Sequence, residues 1–263
     1  MFCKRTPQFQ RLPDIPVKTT MDRADPSLNN IALLTSDWLV YADRCNQLVK
    51  LVDVVQDKVQ HELKVDGVPA GVCSLPGNMA AVALLDKQII NIMNCDNQLS
   101  IVNRITGRGS LRGLAYSDGH LIVLNSFGKI EILHMNGGVF RQHFLDIFLG
   151  YIHNHLSIMT EGNVTSIFVV DSAKRRIHHL DENLQVQQVY SLPGRAEPIS
   201  ILAVGENQVL VSDLFDRLWQ LDTTMGRWTK RERFLGTYVM AFCHDRHILY
   251  CSVNDAVNRY AIS

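Results

Sequence analysis

The sequence predicts an all-β fold, a six-bladed β-propeller of four-stranded blades, and three observations carry that prediction. An apolar strand ending on a small or acidic residue, then a polar turn, then a strand of L-x-x-L type recurs along the chain. The recurrence has a spacing of about 42 residues, that of one propeller blade. The end of the chain leaves the last unit one strand short, while a strand-like stretch stands unused at the start.

The clearest copy is Leu39-Val40-Tyr41-Ala42-Asp43 followed by Leu48, Leu51 and Asp53. It returns as Val209 to Asp213 with Leu218, Leu221 and Asp222, and as Ile167 to Asp171 with Ile177, Leu180 and Asp181. Weaker copies run Leu121 to Asn125, Ile248 to Ser252 and Met79 to Asp86. The turn positions 43, 86, 125, 171, 213 and 252 define six blades. Ahead of each lies another apolar strand closed by Gly, Asn, Asp or Ser, as in Ile31 to Leu34 before Thr35-Ser36-Asp37. Such residues supply the positive φ or local capping that tight hairpins need. The fourth strand is polar and outermost, as in Lys58 to Leu63.

A domain of residues 1–263 follows, with residues 1–11 as a loosely packed lead-in. Blade six begins near Val239 and runs out of chain after its third strand. Ile15 and Val17, alternating with polar or proline positions, are read as the fourth, which closes the ring without a covalent seam. The one helical competitor is Phe140, Phe144, Ile147, Phe148 and Tyr151, whose spacing fits a short helix inserted in the longest gap between turns.

Composition narrows the function. Lys plus Arg and Asp plus Glu both number 26, so a general nucleic-acid or membrane-surface role lacks its usual basic excess. No apolar run approaches the length of a membrane span. The six cysteines are scattered without C-x-x-C spacing, which suggests neither a zinc framework nor a dense disulfide scaffold. The polar, proline-punctuated start has no signal-peptide pattern, and Asn163-Val164-Thr165 reads as a chance sequon, so a cytoplasmic setting is expected.

With the repeats in view, the chain resembles the NHL-type propeller at the C-terminus of tripartite-motif proteins, especially the invertebrate sets. The residues that carry the likeness are Ile31 to Leu34 with Tyr41-Ala42-Asp43 and Leu48 to Asp53. Leu75-Pro76-Gly77 with Asp86-Lys87-Gln88, Arg112-Gly113-Leu114 and Val170-Asp171 extend it. The resemblance implies a propeller that recognises a protein or RNA partner, as the substrate-recognising part of a ubiquitin-ligase family. RING and B-box zinc spacing is absent, so ligase activity itself is not carried over. The Trp-Asp dipeptide of WD40 repeats is absent as well, and Gly137-Gly138 is the only double glycine of kelch type.

Catalytic motifs are weak. Gly107, Gly109 and Gly113 mimic a dinucleotide loop with one residue too many, and read as an inter-blade turn. His61-Glu62 lacks a second zincin histidine, and His153, His155, His178 and His179 lack nearby ligating partners, so they read as solvated. Asp43, Asp86, Asp171 and Asp213 could converge on a channel to bind calcium, as in lactonase-like propeller enzymes. The favoured reading gives them turn-capping roles. No catalytic residue, metal or cofactor is expected.

The candidate binding face is that of the turns joining second and third strands, carrying Arg44, Lys87, Phe127, Lys129, Lys174, Arg175, Arg176 and Arg217. Arg108 and Arg112, on the link into blade three, join Lys129 and Lys174 to Arg176 in a basic corner on blades three and four. A protein partner is the first expectation and single-stranded RNA the alternative, with Phe127 the best stacking residue. Neither membrane nor small-molecule substrate is expected.

Overall fold

The computed structural model describes residues 8–26, 28–96, 98–147, 156–162, 164–205, 207–233, 239–253 and 255–263. The expected His153, His155, Phe148, Tyr151 and Asn163 lie outside them.

Among the described residues, twenty-four strands form six antiparallel sheets of four. β1 (Phe9–Pro16) comes first. Blade one holds β2 (Leu28–Thr35), β3 (Trp38–Asp43), β4 (Leu48–Asp53) and β5 (Lys58–Lys64). Blade two holds β6 (Pro69–Leu75), β7 (Met79–Leu84), β8 (Ile89–Asn94) and β9 (Ser100–Thr106). Blade three holds β10 (Leu111–Ser117), β11 (His120–Asn125), β12 (Lys129–His134) and β13 (Val139–Phe144). Blade four holds β14 (Leu156–Glu161), β15 (Val164–Asp171), β16 (Arg176–Leu180) and β17 (Val186–Ser191). Blade five holds β18 (Pro198–Gly205), β19 (Gln208–Asp213), β20 (Arg217–Asp222) and β21 (Arg227–Arg233). Blade six holds β22 (Val239–Cys243), β23 (Ile248–Val253) and β24 (Ala256–Ile262), and its outer strand is β1.

The seam closes as the chain ends suggest. β1 pairs antiparallel with β24 from Phe9 opposite Ile262 to Pro16 opposite Ala256, with an irregularity between Leu12 and Ile15. It starts at Phe9, within the expected lead-in. Ile15 and Val17 are fully buried against blades six and one. The stretch from Val17 to Pro26 then caps the β3–β4 turn. The Lys50 ammonium, wholly buried, contacts both Asp22 carboxylate oxygens (2.6 and 2.7 Å), the Val17 carbonyl (2.9 Å) and Asp43 (3.3 Å). The Tyr41 hydroxyl donates to the same Val17 carbonyl.

Core residues follow the blade seams. The faces of adjacent blades interdigitate in six apolar clusters, for instance Val40, Val49 and Leu51 of blade one with Val72, Val82 and Leu84 of blade two. Inner strands crowd near the axis: a Cβ on Gly113 would stand 2.8 Å from the Leu156 Cβ. Residues 139–144 form the outer strand β13, where one possible helix was read. Their alternating exposure is that of an edge strand, and pairing with β12 satisfies their backbone. Among the described residues no helix is long and apolar enough to cross a membrane.

The second strands end at Asp43, Leu84, Asn125, Asp171, Asp213 and Val253. Two of these differ from the positions read in sequence. Asp86 lies inside a four-residue turn, two beyond Leu84, and in blade six Val253 follows Ser252 before a two-residue turn.

Candidate functional site

The strand-end residues explain what most of the repeated acids do. Asp213 Oδ1 accepts the Phe215 and Arg217 amides, while its Oδ2 accepts Arg217 Nε (2.7 Å) and Trp219 Nε1 (2.8 Å). Asn125 takes the Phe127 and Lys129 amides in the same way, and Asp171 takes that of Lys174. Asp43 accepts the backbone and side-chain N–H groups of Asn46. Asp86, exposed in its turn, accepts the Val68 amide from the link. Asp86 apart, these polar atoms hold their own turns, with the left-handed geometry seen at Gln47, Arg175 and Asp216. At the Asn125 turn that geometry falls on Gly128, whose φ is +74° and where a Cβ would lie 2.5 Å from the Leu145 carbonyl oxygen.

Behind the turns, one position of the third strand carries a side chain with a nitrogen or oxygen atom in every blade: Lys50, Asn91, Glu131, His178, the indole of Trp219 and Asn258. His178 Nε2 stands 3.8 Å from Asp171, and burial pulls its pKa down despite that carboxylate. The axial cavity, about 230 Å³, is walled by inner strands. None of its described lining residues carries a carboxylate. Among the described residues no group of three or more His, Cys, Asp or Glu is placed to hold a metal ion.

All the expected face residues except Arg112 sit on the turns, turn-proximal strand ends and links of one face. Arg44 and Lys87 are exposed on blades one and two, away from the rest. Arg108 is exposed on the link into blade three, whereas Arg112 belongs to the inner strand β10, half-buried, with Nε on the Ser126 hydroxyl. Lys129 is neutralised by Glu131 at 2.7 Å and lies over the Phe144 ring. Lys174 is bound by Asp146 at 2.6 Å, which holds that carboxyl below its usual range. Arg217 is paired with Asp213 and stacks over Phe215 and Trp219. Arg175 and Arg176 are exposed, with no ion pair among the described residues.

The basic corner is thus smaller than the residue list suggests. The rest of the face is apolar, and of that part the sequence reading places only Phe127. Phe127 is 77% exposed, and Phe144 (65%), Leu214 (46%) and Phe215 (47%) share its face. Arg195, on the link into blade five, is exposed beside them. The signal was available at the turns, since Leu214 stands where blades one, three and four carry Arg44, Ser126 and Ser172, and Phe215 repeats the position of Phe127. Phe144 was hidden because an edge-strand phenylalanine looks like core until its side of the strand is known.

No protein-family model matches the chain. No curated protein matches it either.

Proposed function

We propose that this propeller is a non-catalytic binding module that engages a protein partner through the turn face of blades three to five. The carrying observation is the exposure of Phe127, Phe144, Leu214 and Phe215 on one face, interspersed with Arg175, Arg176 and Arg195. Exposed aromatics beside arginine are the residue types that dominate protein–protein hot spots. Pairing of Lys129 and Lys174 with internal acids removes two of the charges an RNA site would use for phosphate. RNA remains the second reading, resting on Arg108, Arg175 and Arg176.

The finer reading follows the NHL resemblance: the propeller selects substrates for a tripartite-motif-like ubiquitin ligase. Ligase chemistry would come from RING and B-box parts, whose spacing these residues do not contain. A reducing, cytoplasmic setting belongs to the same proposal, in keeping with the buried thiols of Cys73, Cys95, Cys243 and Cys251.

Affinity purification with wild type, a Phe127→Ala/Phe144→Ala variant and an Arg175→Glu/Arg176→Glu variant tests it, alongside titration of fluorescent single-stranded RNA. A protein partner lost with the phenylalanine variant and retained at high salt supports the proposal. Salt-sensitive RNA binding lost only on charge reversal overturns it in favour of RNA.

A further inference from the structure

On the opposite face, the seam between blades three and four lacks the apolar filler found at three other seams. At the first residue of the second strand, blade one carries Trp38, blade two Met79 and blade six Ile248. Each packs against the apolar cluster of its seam with the next blade. Blade three has His120 there, while blade four has an exposed Val164 and blade five Gln208. Its ring is half-exposed, held by Nδ1 against the Asp118 carbonyl oxygen (2.8 Å) and stacked loosely with His134 and Phe140, both at 5.0 Å. A hollow of about 240 Å³ is left where blades one, two and six place a filler.

Its floor is apolar, from Ile122, Ile132 and Ile167, all buried. The mouth is mixed. Phe140 is 52% exposed along one side. Arg141 bridges to blade four, donating to the Glu182 carbonyl (3.0 Å) and to Asn183 Oδ1. Asp118, exposed, accepts two long hydroxyl contacts from Ser117 (3.2 Å) and Thr165 (3.5 Å).

We propose that this hollow docks a single aliphatic or aromatic side chain of an extended peptide segment. An apolar cavity of about 150 Å³ already accepts benzene. This hollow therefore has room for one such side chain, while falling below the roughly 300 Å³ at which cofactor-sized pockets begin. Among the described residues Arg141 uses two of its five N–H groups, and Asp118 keeps acceptor capacity beside its two long contacts. A peptide group carries one acceptor and one donor beside its side chain, and matches that pair without bringing charge. A cation would meet Arg141, and an anion would meet Asp118 and Glu182. The site is independent of the turn-face reading and lies across the disc from it.

N-acetyl-phenylalaninamide, titrated into the full chain and followed by isoleucine-methyl NMR, tests the assignment. The expected dissociation constant is on the order of 1 mM, with shifts centred on Ile122, Ile132 and Ile167. N-acetyl-glycinamide, lacking the side chain, should leave those methyls unmoved. His120→Trp, which gives blade three the filler of blade one, should weaken binding at least about tenfold and raise the melting temperature. If that variant does not fold, His120→Met, the filler of blade two, takes its place. No binding by wild type at tens of millimolar, equal binding of both probes, or undiminished affinity in a folded filled variant would each overturn the proposal. The Arg175→Glu/Arg176→Glu variant should bind the probe unchanged, which separates this site from the turn face.

Discussion

Deleting residues 1–20 removes β1 and the first part of its connector, and the loss can be worked from the contacts. Ile15 and Val17 are fully buried, worth about 2 kcal/mol each. The buried Tyr41 hydroxyl loses the Val17 carbonyl, at about 1–3 kcal/mol. Arg259 loses the Pro13 carbonyl that its Nε binds at 2.7 Å, and β24 becomes an open edge. The total, roughly 6 kcal/mol, is a large share of the 5–15 kcal/mol that holds a typical domain together. At about 2–4 °C per kcal/mol, the melting temperature should fall by roughly 12–24 °C. Thermal melts by circular dichroism, with light scattering to count protomers, measure this. A synthetic peptide of residues 8–20 should restore stability, rising with the logarithm of its concentration above the dissociation constant. A truncated chain that melts within about 3 °C of wild type and stays monomeric would refute the closure argument.

Lys50→Met should cost about 3–5 kcal/mol by stranding Asp22 and Asp43 in the interior, and adding Asp22→Asn should recover part of it in denaturant titrations. Burial lowers the pKa values of His178 and His179 from 6.5, so below that pH the unfolded chain binds protons the native one refuses. Stability should therefore decline as pH falls below about 6.5, and His178→Gln should flatten the decline in melts run from pH 7.5 to 5. Burial pushes the Cys73 and Cys95 thiols up to about 12 and Cys251 higher still, whereas Cys45 is exposed. Native alkylation mapped by mass spectrometry should label Cys45 promptly and the other three only after denaturant; prompt labelling of Cys251 would mean that the blade-six seam opens.

Much of the architecture is written in periodicity, because a blade cannot bury its faces alone and each copy must carry the same apolar strands. Ring closure was legible for the same reason: Ile15 and Val17 make sense only if the last blade lacks a strand. Registration was less legible. Asp86 resembles Asp43 in kind, yet in blade two the strand ends on Leu84, and only pairing with Ile89 reveals the offset. The buried row from Lys50 to Asn258 escaped notice because its members differ in type and in partner, Asn91 having no hydrogen-bond partner among the described residues. Lys50 finds its partner in Asp22, far outside its own repeat.

Sites were harder to read than the fold, and the reason is physical. A binding surface is built from departures from the repeat, whereas repeats are found by ignoring departures. Charges at the turns drew attention as residue types, but their worth depends on neighbours the sequence does not place. Asp146 cancels Lys174 from a link, and Glu131 cancels Lys129 from within the strand. His120 shows the converse. Taken alone it is an unremarked histidine after a turn; aligned with Trp38, Met79 and Ile248 of blades one, two and six it stands where half of the blades place a filler. Restoring the filler is therefore a sharper experiment than removing any charge. A stabilised but non-binding His120→Trp protein would show that the hollow is kept at the expense of packing, whereas a destabilised one would show that the seam has no room to fill.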